Sequence, residues 1–407
     1  MSFFSDKRSF RALFIVHFLT CLSDNLYKTL LVFFLLSISP EKSHVVLTLT
    51  GLLFVVPFIL FADLAGTLGD RCKKTTIIYW TKSIEVVVMA LGLWAFTYQS
   101  VSVGYIVLFL VACLSAIFSP AKFGILPEIC SKEQLSYCNG IMLMTTYIGS
   151  ILGVFLASYL TQVGNGIFVV SGIVCLGIAI VAGILSFVIA PSNVRNTKRA
   201  LSFFCFKEVF LSVKIACKTP FLVPCLCGGA FFFFVVTYTQ LNLLPFVSEQ
   251  FGWPEVYAGY LFLIPAISLG LGSWLVGRLS GKKVRIKLLP YMSLGMAGGF
   301  LLLCLVGHIF SWMVIALFIL GMCAGMYTIP LHTFVQAVSP EDSRARNIAA
   351  CNFFDFFGVA CAAVFIFLAG KVCQLGATTG FGAMAIVSVI VSIWWMLLFK
   401  RNAKSVE

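Results

Sequence analysis

Across 407 residues the chain is 60% hydrophobic and only 11% charged, with a formal net charge of +13. A soluble domain carries about 25% charged residues, so water is excluded as the only solvent; repeated apolar runs of roughly the 20 residues that cross a bilayer core point to a membrane instead. The basic excess would suit a nucleic-acid partner in a soluble protein, but here the cations sit between apolar runs, and the strands of a closed barrel would alternate over about ten residues, which these runs do not.

In chain order, helices are predicted near 12–38, 45–67, 76–98, 103–126, 138–160 and 166–189, then near 219–247, 256–279, 288–309, 312–336, 347–369 and 380–399. The fold class is therefore an all-α membrane protein, with twelve transmembrane helices in two six-helix pseudo-repeats. The first run is too long for a signal-peptide core and contains Asp24 and Lys28, so it is expected to remain as the first helix. The expected division is a first half at 1–190, a basic cytoplasmic linker at 191–218 and a second half at 219–407. An even number of spans puts both termini on one side. Lys7, Arg8, Arg11, the Arg71–Lys74 loop, Lys132, the linker, Lys282–Lys287, Arg344, Arg346 and Lys400–Lys404 fall on that side, against only Lys42 and Lys371 on the other. Basic loops stay in the cytoplasm, so both termini are expected there.

Charges inside the runs carry the chemistry. Asp24, Lys28, Lys82, Glu85 and Asp355 lie well within apolar stretches, with Lys122 nearer a cytoplasmic end. Each central charge costs about 2.5–3.5 kcal/mol to insert, so these side chains are expected to face the bundle interior. Asp24 and Lys28 are four residues apart and Lys82 and Glu85 three, so each pair shares a helix face and can neutralise itself. Such pairs either fix helix packing or mark a pathway, and both readings stand at this level. Cys21, Cys113, Cys175, Cys304, Cys323 and Cys361 lie singly in apolar runs and no CxxC pair occurs, so the cysteines read as small hydrophobes and neither metal nor cofactor is expected. None of His17, His44, His308 and His332 has an Asp five residues on, and neither a phosphate-binding loop nor HExxH is present, so no enzyme is expected.

The loop Gly66-Thr-Leu-Gly-Asp70-Arg71-Cys-Lys73-Lys74 resembles the GxLxDRxGRR loop of the major facilitator superfamily. Gly277-Arg278-Leu-Ser-Gly281-Lys282-Lys283 occupies the matching place in the second half, with Gly281 where the Asp would be. Ser23-Asp24-Asn25-Leu26-Tyr27-Lys28, Lys82 with Glu85, and Ser119-Pro120-Ala121-Lys122-Phe123-Gly124-Ile125-Leu126-Pro127-Glu128 resemble segments of the lysophospholipid transporter (LplT) family, including the transporter half of fused acyltransferase proteins. Ile329-Pro330-Leu331-His332 through Gln336, and Asn347 to Asn352, resemble two more. His332 stands where that family usually has Asn, and helix 7 offers Thr237, Thr239, Gln240 and Asn242 without an Arg.

The resemblance implies a facilitator that carries lysophospholipid from the outer to the inner leaflet of a bacterial inner membrane, where a separate cytoplasmic-side acyltransferase reacylates it. Substrate contacts are expected at Asp24, Asn25, Lys28, Lys82, Glu85, Lys122, His332, Gln336, Asn347 and Asn352, with Gln240 and Asp355 added as polar positions inside the runs that the resemblance does not itself supply, and gating by Gly66, Asp70, Arg71 and Lys74, with Asp70 and Arg71 able to pair. A zwitterionic headgroup wants charge of both signs, and the chain offers both. A transporter of another small amphipathic compound and a non-transporting scaffold for the acyltransferase remain as rivals.

Overall fold

The computed structural model describes residues 7–38, 43–131, 134–164, 167–190, 221–253, 260–280, 284–340, 344–368 and 376–401. Backbone N–H and C=O groups have no water to bond in a bilayer, so a chain of apolar runs satisfies them within helices. Those helices are α1 Lys7–Ile38, α2 Ser43–Leu60, α3 Ala62–Arg71, α4 Lys74–Thr97, α5 Val101–Ile129, α6 Leu135–Val163 and α7 Phe168–Ser186. They continue with α8 Leu222–Phe251, α9 Leu263–Ser280, α10 Leu289–Val306, α11 Phe310–Val338, α12 Arg344–Phe367 and α13 Ala377–Arg401. Eleven of them are long and apolar enough to cross a membrane, and α2 with α3 makes a twelfth if that bent pair is one span.

The second predicted helix, 45–67, is where the fold departs from the sequence reading. It is two helices meeting at 47°. Pro57 has no N–H to give and its ring crowds the carbonyl four residues back, so the helix is weakened here. The hydrogen-bond ladder resumes with Phe61 N–H to Pro57 O at 2.9 Å. The predicted linker and the predicted start of the eighth helix, 256–259, lie outside the described residues.

The chain forms two compact units: Met1–Lys132 with Thr145–Val213 and Ser339–Phe353, and Glu133–Met144 with Lys214–Val338 and Phe354–Glu407. Each therefore takes in a short piece from the far side of the chain's midpoint. In the first unit, a Cβ on Gly66 would lie 2.9 Å from both Ala349 Cβ and Arg346 Cα, so α3 meets the start of α12 at a distance only glycine permits. In the second, a Cβ on Gly277 would lie 2.8 Å from Ser136 O, so α9 meets the start of α6 in the same manner.

The core of the first unit gathers Leu26, Leu30, Leu31, Val88, Met89, Val107, Leu108 and Ala179 from α1, α4, α5 and α7. Phe34 stands edge-on to Phe96 and Phe168, at 5.4 and 5.5 Å between centroids. In the second, buried Trp395 of α13 donates to Tyr327 Oη of α11 at 2.9 Å, and Ser392 donates to Pro290 O of α10 at 2.8 Å. A Trp or Tyr polar atom inside a span needs such a partner.

Candidate functional site

The first unit holds a polar cluster at the meeting of α1, α4, α5 and α6. Lys82 is 1% exposed; its ammonium pairs with Glu85 one turn along α4 and donates to Thr20 Oγ1 of α1 at 2.7 Å. Its other neighbour is the Phe118 ring, 4.5 Å from Nζ. Lys122, one turn beyond Phe118 on α5, approaches the same ring at 5.4 Å and Phe123 at 4.9 Å. Two cations thus share one aromatic ring, whose negative faces attract both.

Lys122 Nζ lies 3.2 Å from Nδ1 of His17, a side chain with no exposed surface, and His17 Nε2 lies 2.9 Å from Thr146 Oγ1 of α6. Asn25, next to Asp24, donates to Ser150 Oγ of α6 at 2.9 Å. A Cβ on Gly153 would lie 2.5 Å from Leu22 O, so α1 and α6 run close together here.

Asp24 and Lys28 do not pair, contrary to the expectation from their spacing. Asp24 accepts from Ser115 Oγ of α5 at 2.6 Å, whereas Lys28 lies over the Phe54 ring of α2 at 4.8 Å. Residues four apart on a helix diverge by about 40°, and α1 has different neighbours on the two sides of that arc. Lys82 is therefore the lysine of this cluster with a carboxylate partner. Among the described residues Lys28 and Lys122 make no ion pair.

The end of α3 forms a second constellation in the same unit. Asp70 was expected to be able to pair with Arg71, but Arg71 is exposed and makes no ion pair among the described residues. The Asp70 carboxylate instead accepts the backbone N–H groups of Ala345 at 2.9 Å and Arg346 at 3.2 Å. These belong to the first turn of α12, whose N–H groups have no partner within their own helix and whose dipole favours an anion. Lys74 pairs with Glu128 at 2.7 Å, and its stem runs over Gly124, where a Cβ would be 3.1 Å from Lys74 Cε. The Gly66–Lys74 loop and the Ser119–Glu128 segment are thus one piece of structure. Asn352 joins it by donating to Ser119 Oγ at 3.0 Å, while Asn347 donates to Ser339 Oγ at 2.9 Å.

The remaining sequence candidates lie in the second unit. Gln336 exchanges two hydrogen bonds with Asn139, at 2.9 and 3.0 Å, and half-buried His332 is one turn earlier on α11. Asp355 is 3% exposed with its carboxylate against the backbone of Gly229 on α8, and Gln240 is exposed. Within the second unit and among the described residues, Gln240 makes no hydrogen bond to His332, Gln336 or Asp355. Sequence reasoning missed His17, Thr20, Ser115, Thr146 and the partner role of Glu128. A signal for the first was present: His17, Cys21, Asp24 and Lys28 recur at intervals of four, three and four, a polar stripe on an apolar helix.

The lysophospholipid transporter LplT of Photorhabdus laumondii is 25% identical over 97% of both chains, and that of Escherichia fergusonii is 24% identical over 84% of both. Among solved structures, the human organic anion transporter MFSD10 superposes with a TM-score of 0.77 at 14% identity, over 95% of this chain and 99% of that one. The Escherichia coli fucose:proton symporter FucP gives 0.75 at 13%, over 96% and 98%. At such identities the two structures speak for the fold alone. The sequence profile of the Major Facilitator Superfamily matches residues 13–363, and with this helical architecture the chain belongs to that superfamily.

Proposed function

We propose that this protein is a lysophospholipid transporter, carrying lipids of the lysophosphatidylethanolamine type from the outer to the inner leaflet of a bacterial inner membrane. Both termini are cytoplasmic in this reading, and reacylation falls to a separate acyltransferase on that side. Similarity to LplT transporters along nearly the whole chain supports the substrate class. The observation that carries it is the unequal state of the three lysines. Among the described residues, Glu85 neutralises Lys82, while Lys28 lies over a phenylalanine ring and Lys122 beside two rings and a hydroxyl-bound imidazole, neither in an ion pair. Cations held inside a membrane without a counterion are costly unless an anion visits them. A lysophospholipid brings a phosphate, and charge-assisted bonds from two ammonium groups suit it. Asp24 and Glu85, each with one carboxylate oxygen that accepts no hydrogen bond among the described residues, are the groups for a headgroup amine.

The test is uptake of labelled lysophosphatidylethanolamine by cells with and without the protein, at matched membrane levels. Lys28→Gln and Lys122→Gln are each expected to lower uptake about tenfold or more, the worth of one hydrogen bond to a charged group. Undiminished uptake in both variants would overturn the phosphate assignment. Uptake independent of the protein itself would move a scaffold role ahead of transport.

A further inference from the structure

His17 is an uncharged neighbour of Lys122, buried within hydrogen-bond distance of it, and so can do more than border the site. We infer that His17 is a positioning residue: a neutral imidazole that holds the Lys122 ammonium by accepting a hydrogen bond from it at Nδ1, and so aims that cation at the substrate anion. The inference rests on the proposed role of Lys122 and deepens it.

The chemistry follows from the partners. An ammonium has three N–H donors and no lone pair, so at 3.2 Å Nδ1 must be the acceptor. A neutral imidazole carries one proton, which is then on Nε2, and Nε2 points at Thr146 Oγ1, 2.9 Å away, as donor to acceptor. The two contacts thus select one tautomer, and α6 fixes the ring that fixes the lysine of α5. A carboxylate in the same place would also hold Lys122 but would cancel its charge, as Glu85 does for Lys82. An imidazole holds the ammonium and leaves its full charge for a ligand. The rings of Phe118 and Phe123 complete an uncharged seat around Nζ.

Neutrality makes the arrangement pH-sensitive in one direction. A proton on Nδ1 removes the acceptor and sets a second positive charge beside Nζ, which releases Lys122. Titratable groups near His17 among the described residues include Lys122 of α5, Cys21 and, two turns along, Asp24 of α1 itself, and the Lys82–Glu85 pair of α4 reached through Thr20. The α6 neighbour, Thr146, is uncharged; α7 has no acidic or basic residue, and α2 has only His44, in its first turn.

The experiment measures concentration-dependent uptake of labelled lysophosphatidylethanolamine in proteoliposomes of the full chain, between mildly acidic and mildly basic pH. Wild type, His17→Leu, His17→Asn and Lys122→Gln are compared at equal reconstituted protein. His17→Leu is expected to raise the half-saturating concentration about tenfold, the scale for losing a bond to a charged group. His17→Asn can place an amide oxygen near the Nδ1 position and should recover the larger part of the loss. Wild-type affinity should weaken towards acid, and that weakening should disappear in His17→Asn, which has no proton to gain; a purely structural histidine would move neither readout. His17→Leu matching wild type while Lys122→Gln fails overturns the inference alone, as does His17→Asn transporting no better than His17→Leu or keeping the wild-type pH profile. Wild-type uptake by Lys122→Gln overturns the phosphate reading and the inference with it.

Discussion

Lys82 and Glu85 found each other as their spacing predicted, while Asp24 and Lys28 did not, and the difference is local. Lys82 and Glu85 are 1% and 2% exposed, with Thr20 and the Phe118 ring closing the site around them. Asp24 had a closer partner in Ser115 and Lys28 a ring in Phe54. Sequence supplies the spacing but not the third residue that competes, which comes from another helix. The contrast makes a prediction for double-mutant cycles. Lys82→Gln and Glu85→Gln each strand a buried charge and should cost about 3–5 kcal/mol of thermal stability in detergent, with much of it regained in the double variant. Asp24→Asn and Lys28→Gln should instead combine additively, within about 0.5 kcal/mol. Strong coupling of that second pair would mean the two charges neutralise each other after all.

At the scale of elements, apolar runs told most of the story, because a bilayer demands helices and the runs have their length. The break between α2 and α3 was not read from the sequence, although Pro57 stood in the run. A proline inside a span signals a kink without saying how far the helix turns. The role of the α3 end was also half legible. Its motif located Gly66 and Asp70, but Asp70 serves the start of α12 rather than the adjacent Arg71, and no local pattern names a helix some 275 residues away. Removing a carboxylate that caps a helix costs about 1 kcal/mol. Asp70→Ala should therefore raise hydrogen exchange at the Ala345 and Arg346 amides about fivefold, while Arg71→Ala, which removes an exposed side chain with no ion pair among the described residues, leaves it unchanged. Equal exchange in wild type and Asp70→Ala would show that the cap does not protect that turn. Gly69→Val should do more damage than Asp70→Ala, since even a Cβ there would sit 2.5 Å from Ala345 Cβ.

For the whole molecule, the pseudo-repeat was visible as the pair of loops Gly66–Lys74 and Gly277–Lys283. The membership of the units was not, because it turns on where the first turns of α6 and α12 pack, and both turns look like ordinary helix starts in sequence. Orientation rests on the Lys/Arg asymmetry, and it depends on α2 and α3 acting as one bent span. Cys72 is well placed to decide both. It is exposed, and it follows α3 between Arg71 and Lys73. If α2–α3 crosses the membrane, Cys72 lies on the side opposite Lys42; if the pair enters and returns, both lie on one side. In a chain whose other cysteines are replaced, an impermeant maleimide should fail to label Cys72 in intact cells and should label it once the membrane is opened. A cysteine introduced beside Lys42 should react from outside in either preparation, since that segment has too few cations to be held in the cytoplasm. Labelling of both sites from outside would make α2–α3 a re-entrant pair. Labelling of Cys72 alone from outside would invert the orientation, and with it the direction of transport proposed here.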